Sequence, residues 1–293
     1  MLPLIVSSVG VICAVIITFI NCQLIWKFWM QDHHRTHDLT LFFYRFHMDV
    51  LIGFVTILYL GHVLTYYLWL EVFENTKILV LWLGLATSNL QMARLVLSLF
   101  VTLDRLAAAF FPIKYRVYRT RIPTLPIFIF CLATGLFQDF IFFYCCDFVI
   151  YIPKNCLALG CVMNTCFKTF WSTYQTVILS VIVSLSLLFC GRLFMWSKST
   201  SHLSQANRLA ILDAITIFIF QFIPPFCVSL WPDFDLFNFS YAGPFNLVGK
   251  LVGSSIESFL MLGVMRRNSQ KTTITTVAGR TSSHMVRSSE NKH

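Results

Sequence analysis

Residues 4–29 read LIVSSVGVICAVIITFINCQLIWKFW, with one charged side chain, Lys27, near the end. A helix needs about 20 mostly apolar residues to cross the hydrocarbon core of a bilayer, so this stretch is long enough for one crossing. No Lys or Arg precedes it, and it is longer than the apolar region of about 7–15 residues in a cleaved signal peptide. We therefore interpret it as a membrane-spanning helix.

The rest of the chain has the same apolar character. Of 293 residues, 57% are hydrophobic, 30 are phenylalanine and 12% are charged, against about 25% charged residues in a typical soluble domain. The mean hydropathy is +0.72. This composition excludes a soluble enzyme, a coiled coil, a disordered chain and a receptor with a folded ectodomain.

Seven apolar segments are long enough to span a bilayer. Because lipid offers the backbone no hydrogen-bond partner, each is predicted to be a helix. We predict an all-α membrane protein, a rhodopsin-like seven-transmembrane-helix bundle over residues 1–265, followed by a disordered, basic, Ser/Thr-rich tail over 266–293. The predicted spans are 4–29, 39–68, 78–103, 124–146, 169–196, 208–231 and 244–265.

The positively charged residues predict how the bundle is oriented. If the N-terminus is outside, sixteen Lys and Arg residues fall on the inner side and three, Lys77, Lys154 and Lys168, on the outer side. Cytoplasmic loops carry such an excess of positive charge. We therefore expect the N-terminus outside, the tail in the cytoplasm and a multi-pass plasma-membrane protein. The net charge of +9 then reflects topology in a lipid bilayer, and no nucleic-acid partner is expected.

Two features of the outer connections agree with this orientation. Asn238, in the sequence Asn-Phe-Ser, is a glycosylation candidate. Five cysteines lie in or beside the connection between the fourth and fifth spans, where the compartment is oxidising. We expect disulfides among Cys156, Cys161 and Cys166, and we interpret Cys145 and Cys146 as packing residues that close the fourth span. Spacing alone does not determine connectivity.

Ionisable residues inside the spans form a second group of candidates. A charged side chain at the bilayer centre costs about 2.5–3.5 kcal/mol on insertion scales, so each requires a reason. Asp49, Arg94 and Glu257 reach the middle of the membrane or its inner half, and we predict a cluster in which Arg94 lies between the two carboxylates. The alternative is that Arg45, four residues before Asp49, pairs with it instead.

Depth along the spans predicts a ligand pocket in the outer half of the bundle. Aromatic walls with a few polar groups suit a small, moderately apolar ligand. Lys250 either lines this pocket, as its neighbours Gly249 and Gly253 favour, or extends outward to the lipid headgroups. Pro224 and Pro225 are expected to kink the sixth span. The predicted lining residues are His62, Tyr66, Trp82, Tyr174, Gln175, Gln221, Phe222 and Lys250.

Catalytic motifs are absent from the sequence. It contains no His-Glu-x-x-His, no Gly-x-Ser-x-Gly and no phosphate-binding glycine loop. The His-rich stretch 33–37 is interpreted as a solvated turn and not as a metal site. We therefore expect no enzyme, no cofactor and no metal ion.

At the inner end of the third span the sequence reads Thr102-Leu103-Asp104-Arg105-Leu106, followed by Pro112-Ile113 and a basic loop. This element resembles the Asp-Arg-Tyr motif and following loop of rhodopsin-like G-protein-coupled receptors. The chain is more similar still to nematode serpentine chemoreceptors, most of all class BC (Srbc). That likeness rests on Phe42-Phe43-Tyr44-Arg45-Phe46 with Asp49, Leu103-Asp104-Arg105, Phe110-Phe111-Pro112-Ile113 and Tyr118-Arg119.

The resemblance implies a chemosensory receptor with two binding partners. A small environmental molecule would bind in the outer half of the bundle, and a heterotrimeric G protein would be activated at the inner face through Asp104, Arg105, Lys114 and Arg116. The receptor would act in the plasma membrane, a sensory cilium being one candidate.

The sequence departs from the rhodopsin-like pattern at several points. No cysteine begins the third span, and the seventh span has Ser254-Ser255-Ile256-Glu257-Ser258 in place of Asn-Pro-x-x-Tyr. The rival interpretation is a seven-span transporter or a subunit of a ligand-gated channel. It needs a continuous polar path, which only Asp49, Arg94 and Glu257 indicate.

The predicted orientation can be tested with an epitope tag placed after His293. We expect antibody to reach this tag only in permeabilised cells, because the charge distribution puts the tail inside. A tag placed before Met1 serves as the control and should be stained on intact cells. Staining of intact cells through the tag after His293 would contradict the orientation.

Overall fold

The structure is a computed structural model that describes residues 2–30, 39–119, 123–152, 156, 158–197, 205–230 and 245–265. Within these residues it is helical, with no strands. The long helices there are α1 (Leu2–Met30), α2 (Thr40–Leu68), α3 (Ile78–Phe110), α4 (Leu125–Cys145), α5 (Thr165–Ser197), α6 (three consecutive segments, Gln205–Ile217, Phe218–Phe222 and Ile223–Leu230) and α7 (Phe245–Met265). Three short helices, Leu70–Thr76, Pro112–Arg119 and Leu159–Val162, lie in the connections.

Five of the long helices in the described residues are long and apolar enough to cross a membrane. They are Leu2–Trp29, Thr40–Leu68, Leu125–Cys145, Thr165–Met195 and Phe245–Met265. The other two, α3 and α6, differ from these in ways that the sequence explains. Helix α3 carries many polar residues, including Asn89, Gln91 and Arg94, and α6 is divided into shorter segments.

Helix α3 continues beyond the end of its predicted span at residue 103. It runs to Phe110, because the residues after Arg105 are Leu106 and three alanines, which favour a helix. Phe110 is its last residue. The next residue, Phe111, caps the helix by donating its N–H to the carbonyl of Ala107 at 2.9 Å, and it precedes Pro112. Asp104 and Arg105 therefore lie on a helix and not in the following loop.

Helix α3 is the central element, since it packs against α2, α4, α5 and α6. It comes close to α4 at Gly135, where an added Cβ would lie 2.6 Å from the carbonyl oxygen of Asn89. Small residues allow helices in membranes to come this close. The Asn89 side-chain amide also donates to the carboxylate of Asp139 at 2.8 Å. The α3–α4 contact thus combines close packing with a hydrogen bond.

Helix α7 packs between α1 and α6. On the α1 side, the Asn21 amide donates to the Ser258 hydroxyl at 2.9 Å. On the α6 side, a Cβ at Gly253 would lie 2.4 Å from Cβ of Phe220, so this contact requires glycine. At Gly249, one turn earlier on α7, no atom of the described residues lies within 4 Å of an added Cβ, so this position is not closely packed.

The backbone of α6 changes register before its two prolines. Residues Phe218–Phe222 form a π-helical turn, and the α-helix resumes at Ile223. Pro224 and Pro225 have no backbone N–H, so carbonyls one turn earlier lose their usual partners. A π turn is a common response to such a loss. The irregularity therefore separates the segment with Asp213 from the segment with the prolines.

Two disulfides hold the connection between α4 and α5. They join Cys146 to Cys166 and Cys156 to Cys161. All three disulfide candidates are therefore paired, but the interpretation of Cys146 as a packing residue was wrong; Cys145 is exposed and unpaired. Cys146 pairs because its Cα lies 5.7 Å from that of Cys166, within the range that a disulfide requires. We call the end of the bundle that carries these disulfides the disulfide end, and the opposite end the Arg105 end.

Several sequence features lie outside the described residues. These are Asn238, the His-rich stretch 33–37 and the tail 266–293.

Candidate functional site

A network of buried ions lies near the middle of the bundle, toward the Arg105 end. The guanidinium of Arg94 on α3 binds the Asp49 carboxylate on α2 through Nε, and its Nη2 donates to Oε2 of Glu257 on α7 at 3.0 Å. All three side chains are buried. The structure thus brings together the three residues that were predicted to cluster.

Arg45 joins the same network from one turn earlier on α2. It does not pair with Asp49, which was the alternative; it forms ion pairs with Glu257 on α7 and with Asp213 on α6. Sequence reasoning missed Asp213, although it lies inside the sixth apolar segment. The depth argument that selected Asp49 applies equally to Asp213 and could have found it.

The completed network contains two guanidinium groups and three carboxylates from four helices, α2, α3, α6 and α7. Buried ion pairs of this kind stabilise a structure when their hydrogen-bonding groups are well matched, and losing one partner leaves an uncompensated charge. Each arginine bridges two different helices. The network therefore fixes how these four helices pack.

Two cavities lie between this network and the disulfide end. The inner cavity, of about 30 Å³, has Arg94 in its wall together with Gln175, Gln221 and Ser254. The outer cavity, of about 130 Å³, is bounded by Tyr59, Asn246 and the connection that carries the disulfides. Four residues line both cavities: Ser88, Gln91, Trp171 and Lys250. The cavities are therefore adjoining parts of one site.

The α4–α5 connection forms the outer wall of this site. The N–H of Leu159 donates to the Tyr59 hydroxyl at 3.0 Å. A Cβ at Gly84 would lie 2.9 Å from Cβ of Leu159, so α3 and this connection are in close contact. The disulfide Cys156–Cys161 lies within the same segment. This wall is consequently built from a covalently restrained connection that includes the short helix Leu159–Val162, and not from one of the long helices.

The predicted ligand-binding residues divide into two groups. Lys250, Gln175 and Gln221 line the cavities. His62 and Tyr66 pack instead on the ring of Phe73, and Trp82 is half exposed and stacks on Phe143. Tyr174 stacks on Phe170 and Phe222 on Phe218 and Phe226. None of these five lines either cavity within the described residues.

Sequence reasoning also missed residues that line one or both of the cavities. Gly84, Ser88 and Gln91 on α3 are spaced by four and three residues, which places them on one face of a helix. That face leads toward Arg94 three residues later. The spacing of these polar residues could therefore have identified the cavity-lining face of α3. No sequence pattern distinguishes Trp171 as a cavity-lining residue.

At the Arg105 end, the guanidinium of Arg105 is buried and held by two neighbours. It binds the Asp104 carboxylate and donates to the Tyr115 hydroxyl at 2.8 Å, and that hydroxyl donates to Asp104 at 3.0 Å. Asp104 also forms an ion pair with Nε of Arg119 at 2.8 Å. Arg105 is thus held against its own helix and the short helix Pro112–Arg119.

The other predicted coupling residues belong to that short helix. Lys114 is exposed and lines a surface cavity of about 400 Å³ together with Asp104, Tyr115 and Arg119. Arg116 lies on the same helix, and its side chain is outside the described residues. Arg119 was not among the predicted coupling residues, yet it contacts Asp104 directly.

The helical bundle agrees with the result of a comparison with protein families. The family model described as Serpentine type 7TM GPCR chemoreceptor Srbc matches residues 1–269. The chain belongs to this family. A comparison with curated proteins finds no match.

Membership of the Srbc family makes the chain a membrane protein of a chemoreceptor family. The match covers all the described helices, including α3 and α6. It also confirms the resemblance that was drawn from the motifs on α2 and α3. The Srbc family is a receptor family and not an enzyme family.

The ion network predicts how charge removal affects assembly of this Srbc protein. Arg94→Ala leaves one guanidinium with three carboxylates and should reach the cell surface poorly, since breaking a buried pair typically costs about 3–5 kcal/mol. The triple variant Arg94→Leu, Asp49→Asn, Glu257→Gln leaves Arg45 with Asp213 and should recover. Flow cytometry of an extracellular tag measures both.

Lys77→Ala is the matched control, because it removes a cation from a half-exposed pair with Glu74. Exposed pairs contribute little, so its surface level should equal that of wild type. Normal trafficking of Arg94→Ala, or a triple variant no better than the single one, would show that the network does not hold the helices together.

Proposed function

We propose that this protein is a chemosensory G-protein-coupled receptor that binds a small molecule between α3, α5, α6 and α7 and activates a heterotrimeric G protein at the Arg105 end. The observation that carries the proposal is Arg105, a buried guanidinium held by Asp104 and Tyr115 at the end of α3. Its location in a chain of the Srbc family supports a coupling role.

The proposal includes the full topology. All seven long helices cross the membrane. Helices α3 and α6 can do so because their buried charges, Arg94 and Asp213, are paired inside the bundle. The N-terminus and the disulfide end are outside, and residues 266–293 form a cytoplasmic tail. Disulfides form in oxidising compartments, which supports this orientation and a location in the plasma membrane.

Coupling would require Arg105 to leave its present partners. The guanidinium offers several donors in a fixed plane, which suits a carbonyl or carboxylate at the end of a partner's helix. In the described conformation Asp104 and Tyr115 both bind Nη2 of this group. Lys114, exposed beside the surface cavity, and Arg116 on the same short helix would add positive charge to the docking face.

The effect of ligand binding would be transmitted to the Arg105 end through α6. Gln221 lines the inner cavity, and Asp213, about two turns away on the same helix, pairs with Arg45. A ligand that repositions Gln221 would strain the Arg45–Asp213 contact. Displacement of the Gln205–Ile217 segment would then open the Arg105 end.

The coupling role of Arg105 can be tested without a known ligand. Asp104→Asn removes the charge that holds Arg105 and should raise ligand-independent GDP–GTP exchange on a promiscuous Gα by several-fold. Adding Arg105→Ala to the same variant should return exchange to the level of membranes without receptor. Both variants are compared at equal surface levels, with whole-cell current recorded in parallel.

Tyr144→Ala, an exposed residue at the opposite end, is the control and should leave exchange unchanged. Full exchange in the Arg105→Ala background would contradict the coupling role. Current without exchange would favour a channel over a receptor.

A further inference from the structure

The site between the network and the disulfide end has an unbalanced charge. Among the described residues that line the two cavities, Lys250 and Arg94 are cationic and none is Asp or Glu. Arg94 is neutralised by Asp49 and Glu257. Lys250 has no carboxylate within ion-pair distance in the described part of the chain, and its Nζ lies 5.2 Å from the centre of the Trp171 ring.

The same site also has an excess of hydrogen-bond donors. The indole Nε1 of Trp171 is buried without an acceptor, and an indole N–H can only donate. The hydroxyl of Ser88 is buried without a partner as well. Both residues line the two cavities beside Lys250, whose ammonium is also only a donor. The indole of Trp171, the hydroxyl of Ser88 and the ammonium of Lys250 are thus three donors without acceptors among the described residues, and they line the same two cavities.

Leaving buried donors unmatched is unfavourable, so the arrangement favours a ligand that supplies acceptors. A carboxylate supplies two oxygens and the negative charge that Lys250 lacks. A cationic ligand would meet repulsion from Lys250, and a neutral one would leave the ammonium with the Trp171 ring but without a negative charge.

The size and remaining walls restrict the rest of the ligand. The outer cavity of about 130 Å³ is close to the engineered cavity of about 150 Å³ that accepts benzene. Its walls include Leu159, Met163 and Leu247, which suit an apolar body. Inorganic anions such as sulfate carry no such body and are strongly hydrated.

We propose that the ligand site accepts a small organic carboxylate whose charge pairs with Lys250 and whose oxygens accept from Trp171 and Ser88, with an apolar body of about the size of benzene. This inference rests on the proposed ligand site but not on G-protein coupling. It assigns Lys250 as the residue that selects ligand charge.

Binding to the purified full chain in detergent tests this directly, with benzoate as the probe. Saturation-transfer NMR should detect benzoate on wild type, and benzamide and benzylamine much more weakly. Lys250→Met should weaken benzoate binding by about ten- to a hundredfold, as expected for the loss of a hydrogen bond to a charged group. Lys77→Met, which removes a half-exposed lysine from the same end of the bundle, should leave binding unchanged.

Lys250→Met keeps the length of the side chain and removes an unpaired cation, so its melting temperature should equal or exceed that of wild type. If the Lys250→Met variant does not fold, the binding of benzoate, benzamide and benzylamine to the wild type still tests whether the site selects a carboxylate. Three results would overturn the proposal: no benzoate binding, equal binding of benzamide or benzylamine, or undiminished benzoate binding by folded Lys250→Met.

The assay separates this inference from the proposed function. Benzoate binding that depends on Lys250, in a protein that never promotes nucleotide exchange, would support the carboxylate site and refute the receptor activity. Exchange by Asp104→Asn in a protein that binds no benzoate would refute the carboxylate site alone.

Discussion

The structure depends on the need to neutralise ions that the chain has placed inside an apolar bundle. Arg45 and Arg94 are buried, and each contacts carboxylates on two other helices or segments. A charge in this environment is costly unless it is paired. Helices α2, α3, α6 and α7 must therefore meet at one place, which fixes their rotation as well as their order. Packing at Gly135 and Gly253 then determines how closely the neighbouring helices approach.

The same network separates the two ends of the molecule that carry the candidate functions. Arg94 is part of both the network and the inner cavity, so a ligand in that cavity lies next to the ions. Toward the Arg105 end, Asp104 and Tyr115 hold the coupling residue. Like α2, α3 and α7, helix α6 contacts both the cavity, through Gln221, and the network, through Asp213. Its π turn, Phe218–Phe222, contains Gln221 and directly follows the segment that carries Asp213.

The sequence predicted the helices, the Srbc family and the meeting of Arg94 with Asp49 and Glu257. These predictions depend on hydropathy, on short motifs and on the depth of a residue along its span, all of which can be obtained from a single sequence. It did not predict Asp213, although depth alone could have found it, nor the partners of Arg45, which depend on helix rotation. Aromatic residues such as His62 and Tyr66 were assigned to the ligand site by depth, but they pack on Phe73. Depth does not distinguish a residue that faces a cavity from one that faces another ring. Cys146 was misinterpreted because its pairing depends on the fold of the α4–α5 connection.

The central claim is that α6 is tied to the rest of the bundle by the Arg45–Asp213 contact. A double-mutant cycle on Arg45→Met and Asp213→Leu measures this directly, with the apparent melting temperature obtained by fluorescence-detected size-exclusion chromatography. Residues in contact are coupled by about 0.5–3 kcal/mol, so the loss in the double variant should be clearly smaller than the sum of the two single losses. Strictly additive losses would mean that the two side chains do not interact and that the network does not include α6.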